Sequence, residues 1–297
     1  MANNIALAKN YIPLLDEVYK TTALTAVLES PAELARAGAS AREILLPKID
    51  MVGLGNYSRS TGYAAGDVTL AYETHTFNFE RGRKMSIDQM DNEETQGVLI
   101  GRLLGEYVRT KVVPELDAFR FAKFATEAIT ANIGHNVAAN LGTNGTAAIA
   151  AIRAGLTKLD DAEVPPEGRF LFITPTLLGA IEDLKTDESR AALAGLTVVK
   201  VPQTRFYTAI TQDAGATASA GGYTFTNNAS SNINFMLVHN TAPVVFTKHL
   251  VSDVLPPEVN PDADAWVLKY RNYGLAEVLE NKIQGIYVHY ENKLLTV

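Results

Sequence analysis

Between Val68 and Ile87 the chain reads VTLAYETHTFNFERGRKMSI, an alternating run that changes phase part-way along. Val68, Leu70 and Tyr72 repeat with the period of two of a half-buried strand, whereas Phe77 and Phe79 continue on the opposite parity. A change of parity moves every following side chain to the other face, so a bulge or twist is expected near Thr74. Upstream, Gly53, Gly55, Gly62 and Gly66 punctuate the chain from Ile44 onward, and the whole stretch predicts a long two-stranded hairpin. Its strands carry only a thin apolar set. A two-stranded ribbon is marginal in water by itself, so this one needs a surface to lie on.

The rest of the chain has the composition of a globular protein. Of 297 residues, 47% are hydrophobic and 20% charged, too apolar for disorder and too interrupted by charge for a membrane protein. This length sits where single cores begin to divide, which predicts two lobes. With 26 basic and 33 acidic residues the formal charge is −7, and the basic residues are scattered, which argues against a protein built to grip a phosphate backbone. The absence of cysteine excludes disulfides, a thiolate nucleophile and Cys-ligated metal. No basic segment leads into an apolar run at the start, which points to a cytosol-like compartment.

Residues 1–44 read as an arm with short helical pieces, where Ala26–Leu28 lead to a helix capped by Ser30, opened by Pro31 and ended by Gly38. The arm has too few large apolar residues to offset its ordering entropy, so the body or a neighbour is expected to hold it. Asp91 starts the longest helical pattern, with Glu94 as its capping-box partner and Leu99, Leu103, Val108, Phe119 and Phe124 as its buried stripe. Run to Ile129 it would span about 55 Å, and Pro114 predicts a kink or break near Val113. An Asn/Gly-rich connection over 131–145 precedes a second helix, GTAAIAAIRAGLTKLDDA. The strand RFLFIT, the helix PTLLGAIEDLK opened by Pro175, and the strand LTVVKV follow. Residues 213–231 read as an exposed loop or short hairpin; INFMLVH and PVVFTKHLV are ordered again, and the tail from Trp266 is β-rich. The class is α+β.

Searching for chemistry returns little. No G-x-S-x-G, H-E-x-x-H or G-x-x-x-x-G-K-[ST] occurs, and His75, His135, His239, His249 and His289 are not spaced to chelate a metal on one helix. Asp262 and Asp264 lack the further acidic positions of a calcium loop. No catalytic, cofactor-binding or metal-ligating residue is therefore assigned. An enzyme with its site at the Thr174-Pro175 strand-to-helix turn is the weaker alternative, because no nucleophile, base and orienting group converge on it. Arg81, Arg83 and Lys84 form the one tight basic cluster, open to reading as a partner contact, a DNA-facing spot or charged protection of an edge strand.

The order of parts is more specific than any motif. The hairpin ending FNFERGRKMSID, the helix segment VVPELDAFRFAKFA, the stretch VPPEGRFLFITP and the closing YRNYGLAEVLENKIQGIYVHY together resemble the tailed-phage major capsid protein family, whose fold is shared with encapsulins and herpesvirus shells. The resemblance implies an arm over 1–44, an E-loop with flanking strands over 45–90, a P domain with a long kinked spine helix over 91–145, an axial A domain over 146–249, and return strands over 250–297. It implies a shell protein of the virion, assembled in the host cytoplasm, that encloses double-stranded DNA without sequence-specific binding and touches no membrane. Its partners would be copies of itself in hexamers and pentamers, a separate scaffolding protein, a portal and a decoration protein. Tyr57, Arg59, Tyr63, Tyr72, Phe77, Phe79, Arg81, Arg83 and Lys84 are the expected subunit interface, and Pro114 the expected kink of the spine helix. The short arm predicts no cleaved scaffolding segment. Lys48 and Lys84, at the base of the hairpin, predict no lysine–asparagine cross-link. An encapsulin-like compartment enclosing cargo enzymes shares all these features and stays open.

Overall fold

The computed structural model describes residues 23–31, 36–37, 42–94, 103, 105–217, 220–225 and 231–291. Strands Arg36–Ala37 (β1), Glu43–Met51 (β2) and Val68–Thr76 (β3) form an antiparallel sheet in the order β1-β2-β3. Next come Phe79–Asp88 (β4), the short helix Gln89–Glu94 (α1), the helix Val113–Ala131 (α2), Asn136–Ala138 (β5) and the helix Gly145–Asp161 (α3). Arg169–Ile173 (β6), helices Pro175–Asp183 (α4) and Asp187–Leu193 (α5), Thr197–Lys200 (β7), and the short strand pair Ile210–Gln212 (β8) and Tyr223–Phe225 (β9) follow. Ile233–His239 (β10), Pro243–Leu255 (β11), Ala265–Val278 (β12) and Ile286–Tyr290 (β13) complete the chain. Two further sheets carry the body: a mixed five-stranded sheet, β5-β13-β10-β6-β7, and an antiparallel one, β11-β12-β4. Among the described residues no helix is long and apolar enough to cross a membrane.

INFMLVH is a continuous apolar run because β10 is buried at every position, with helices on both faces. On one face Phe235 and Leu237 meet Ile149 and Ile152 of α3 and Leu177 and Ile181 of α4. On the other, Met236 and Val238 meet Phe121, Phe124 and Ala128 of α2. The opposite flank of α2 packs on the β11-β12-β4 sheet through Val245, Ala276 and Val278, so this helix lies between two sheets. Gly155 lets α3 approach: a β-carbon there would stand 2.8 Å from the Tyr287 ring. Pro175 opens α4 as the sequence predicts; Asn144 caps α3, accepting from the Ala147 N–H at 3.0 Å, and Asn132 ends α2 in the left-handed region.

Several expectations are corrected. The β2–β3 register runs without interruption from Glu43 opposite Thr76 to Met51 opposite Val68, so there is no bulge near Thr74. The phase changes because the chain changes sheets: β3 ends at Thr76, Phe77 and Asn78 lie outside any strand, and β4 joins β12. The Asn78 side chain pins this crossing, donating to the Ala276 carbonyl at 2.9 Å and accepting from the Ala276 N–H at 3.1 Å. Helix α1 begins at Gln89, with the Asp88 carboxylate accepting from the Met90 N–H at 2.9 Å, so Asp91 is inside the first turn rather than the cap. Of the helix expected after Ser30, residues 32–35 lie outside the described residues; Ser30 itself bridges to β11, accepting from the Val245 N–H at 3.1 Å, and Arg36–Ala37 are extended. Gly38 and Leu99 fall outside the described residues. Just ahead of Pro114 the helix takes a π-helical turn, Val108–Val112, closed by the Val113 N–H on the Val108 carbonyl.

The arm is held by a buried charge. Asp117 of α2 is 0% exposed and accepts from the Leu24 and Thr25 N–H groups at 3.1 and 3.2 Å, the Thr25 hydroxyl at 2.8 Å and Arg205 at 3.0 Å. Arg120, one turn along, donates to the Thr25 hydroxyl at 3.0 Å and to Glu29 at 3.2 Å. The Asp117→Ala subunit is expected to lose about 3–5 kcal/mol, because the buried Arg205 guanidinium loses its ion-pair partner and the Leu24 and Thr25 N–H groups lose their acceptor. Chemical denaturation of the purified subunit measures this; an unchanged midpoint would remove Asp117 from its central role.

Candidate functional site

The hairpin supplies a surface that its own chain leaves open. Because opposed residues share a face, the pairs Pro47 and Tyr72, Ile49 and Leu70, and Met51 and Val68 form one continuous apolar stripe. Every one of these six residues is exposed, Leu70 to 56% and Val68 to 70%. The stripe runs on into the tip, residues 52–67, where Val52, Leu54, Tyr57 and Tyr63 also face solvent. Tyr57 and Tyr63 meet edge to face at 4.9 Å across a small turn closed by reciprocal Ser58–Gly62 backbone bonds. Contiguous exposed apolar surface of this kind marks an interaction site.

The other face of the ribbon is anchored at its root. Ile44 and Leu46 pack with Val244, Phe246 and Leu275 of the body. Lys48 reaches Glu280 at 2.9 Å. His75, 5% exposed, places Nδ1 2.5 Å from a Glu277 carboxylate oxygen, and its Nε2, which has no hydrogen-bond partner, lies 3.7 Å from Glu73. The hydrogen bond to Glu277 raises the His75 pKa above its ordinary 6.5 against the opposing effect of burial, and the charges of Glu277, Glu73 and Glu280 add to the rise.

The residues expected at an interface divide into groups. Tyr57, Arg59, Tyr63 and Tyr72 are exposed on the ribbon and its tip. Phe77 is half-buried at the root, its ring 5.0 Å from Tyr273 with Lys248 over its face. Phe79 is 4% exposed and packs on Phe119 of α2 at 5.0 Å, so its own core already takes the surface expected for a neighbour. Alternation along β4 splits the basic cluster between two faces. Arg81 turns inward to Glu115 at 2.7 Å and Arg83 to the Ala220 carbonyl at 2.9 Å, whereas Lys84 faces outward, 3.6 Å from Asp262. Strand β4 is the edge of its sheet, where charge discourages edge-to-edge pairing. Arg81 and Arg83 also line a cavity of about 590 Å³ with Tyr107, Lys111 and Tyr223; burial pushes the Tyr223 hydroxyl up to about 12, and it donates to the Thr204 carbonyl at 2.7 Å.

At the Thr174-Pro175 turn, the Thr174 N–H is bonded to the Asn234 carbonyl. Among the described residues no three His, Asp or Glu side chains are grouped to hold a metal ion. Reading the sequence missed His75, Glu277 and Asp117. Glu73 and His75 share a strand face, the one local signal; Glu277 is 202 residues from His75 and gives none.

No family model matches the chain, and no curated protein matches it. Solved structures do. A chain of Mycobacterium phage Che8 is 13% identical with a TM-score of 0.64, covering 97% of this chain and 98% of that one. The asymmetric unit of the bacteriophage PhiM1 mature capsid matches at 12% identity and TM-score 0.59, over 86% and 83% of the two chains. The capsid structure of cyanophage P-SCSP1u matches at 13% and 0.55, over 86% and 85%. Identities this low speak to architecture, and the architecture extends over nearly the whole chain: this protein has the tailed-phage major capsid fold.

Proposed function

We propose that this chain is the major capsid protein of a tailed phage, assembling through copies of itself into the shell that encloses a double-stranded DNA genome. The observation that carries the reading is the exposed apolar stripe of the β2–β3 ribbon. A subunit that leaves Ile49, Met51, Val68 and Leu70 in water is incomplete alone, and a neighbouring copy supplies the missing cover. In this reading residues 45–90 are the E-loop, 91–145 the P domain, 146–249 the axial domain and 250–297 the return strands. The role is structural. A separate scaffolding protein, a portal and a decoration protein complete the proposed set of partners, with assembly in the host cytoplasm and residence in the virion.

Negative-stain microscopy of the purified chain tests the reading directly. Hexamer rings or closed polyhedral particles are expected, and a persistent monomer under assembly conditions would overturn it. Small shells loaded with enzyme cargo instead of DNA would move the protein to the encapsulin class.

Burying one aliphatic side chain contributes about 1.5–3 kcal/mol, and each copy repeats the contact. Ile49→Glu combined with Leu70→Glu is therefore expected to abolish shells while leaving the thermal denaturation of the lone subunit nearly unchanged, as calorimetry and sedimentation would read. Pro114 is proposed to set the bend of the spine helix and through it shell curvature. Pro114→Ala should then change particle diameter more than subunit stability, and an unchanged diameter would sink this role.

A further inference from the structure

The root of the ribbon holds an ionisable cluster on the face opposite the exposed apolar stripe. His75 and Glu73 belong to β3, Lys48 to β2, Glu277 to β12, and Glu280 to the 3-10 turn that follows it. The ribbon thus contributes one carboxylate, one imidazole and one ammonium; the body contributes two carboxylates. With the apolar contacts of Ile44 and Leu46, the Lys48–Glu280 and His75–Glu277 pairs tie the ribbon to the body.

We infer that His75 is a proton-operated latch: protonated, it ties β3 to the body between Glu277 and Glu73, and on losing its proton it releases the root of the ribbon. With the imidazolium present, three carboxylates face two cations. Without it, the neutral ring keeps a single hydrogen bond through Nδ1 to Glu277, the named groups carry three negative charges against the one ammonium of Lys48, and the attraction between β3 and the body weakens. The unpaired, buried Nε2 beside Glu73 is what a site built for the doubly protonated ring would show; a neutral ring bonded through Nδ1 has no use for a carboxylate on its other side.

The direction follows from linkage. His75 is raised above 6.5 in the folded chain, so its contact contributes fully below 6.5 and is lost as pH rises through the folded value. The latch is closed below 6.5 and opens as pH rises through the folded value above it. The difference between the two states is ~10-fold in the latch equilibrium for each pH unit by which the folded midpoint exceeds 6.5.

Hydrogen exchange of the full-length, unassembled subunit tests this, following peptides from residues 68–76 with β10 as the internal control, from about pH 5 to about pH 9 and with rates corrected for intrinsic base catalysis. In the native chain, protection of 68–76 is expected to fall through a midpoint above 6.5 while β10 stays protected. His75→Gln should exchange at the fast limit throughout. A native midpoint at or below 6.5, or the same pH profile in His75→Gln, would overturn the latch. If His75→Gln fails to protect β10, and so fails to fold, Glu277→Gln takes its place: it should bring the midpoint down toward 6.5, and an unmoved midpoint would equally overturn the proposal. The latch lies within one chain and is read without assembly, so its failure leaves the shell reading standing, and failure to assemble leaves the latch standing.

Discussion

The structure depends on one helix that must be apolar on two sides at once. Most surface helices bury a single stripe and leave the rest to water. Helix α2 lies between two sheets, and its sequence solves the problem by alternating bulk with absence of bulk. Phe121 and Phe124 fill the space toward the five-stranded sheet, while Ala118, Ala122, Ala125 and Ala128 let backbones come close. The two polar residues buried among them, Asp117 and Arg120, are both spent on the arm and on Arg205. Sheet order, arm and ribbon root all inherit their positions from this helix.

The hairpin shows the opposite condition. Alternation gives any two-stranded ribbon two faces, and here the faces differ in chemistry as well as in cover. The face with Ile44, Leu46, Lys48, Glu73 and His75 is mixed and meets the body; the face with Pro47, Ile49, Met51, Val68, Leu70 and Tyr72 is apolar and stays exposed. Backbone pairing between β2 and β3 runs unbroken along the ribbon, from Glu43 opposite Thr76 to Met51 opposite Val68. Its shape is thus local, and its burial has to come from outside.

Much of this was legible in the sequence, for identifiable reasons. Strands such as RFLFIT and INFMLVH and the helices opened by Asn144 and Pro175 announce themselves because period, caps and proline act within a few residues. The uncovered hairpin was legible for the same reason, since thin alternation is a property of the run itself. What stayed hidden was long-range. The parity change after Tyr72 looks the same whether a strand bulges or the chain leaves for another sheet, and only the pairing of β4 with β12 decides between them. Phe79 looked like an interface residue because nothing nearby in sequence indicates Phe119 beneath it. Asp117 looked like an ordinary charge on a helix, as its partners Leu24, Thr25 and Arg205 lie about 90 residues away on either side.

The arm is fastened in a definite sequence. Reading from its outer end, the chain meets Asp117 at Leu24 and Thr25, enters the core at Leu28, bonds to β11 at Ser30, and pairs with β2 only at Arg36 and Ala37. A tensile load applied ahead of Leu24 must therefore shear the Thr25–Asp117 bonds and extract Leu28 before any of it reaches β2. The arrangement works as strain relief on a cable: load on the arm is taken up at α2 and in the core before it reaches the ribbon, so arm and ribbon stay mechanically independent although they share a sheet.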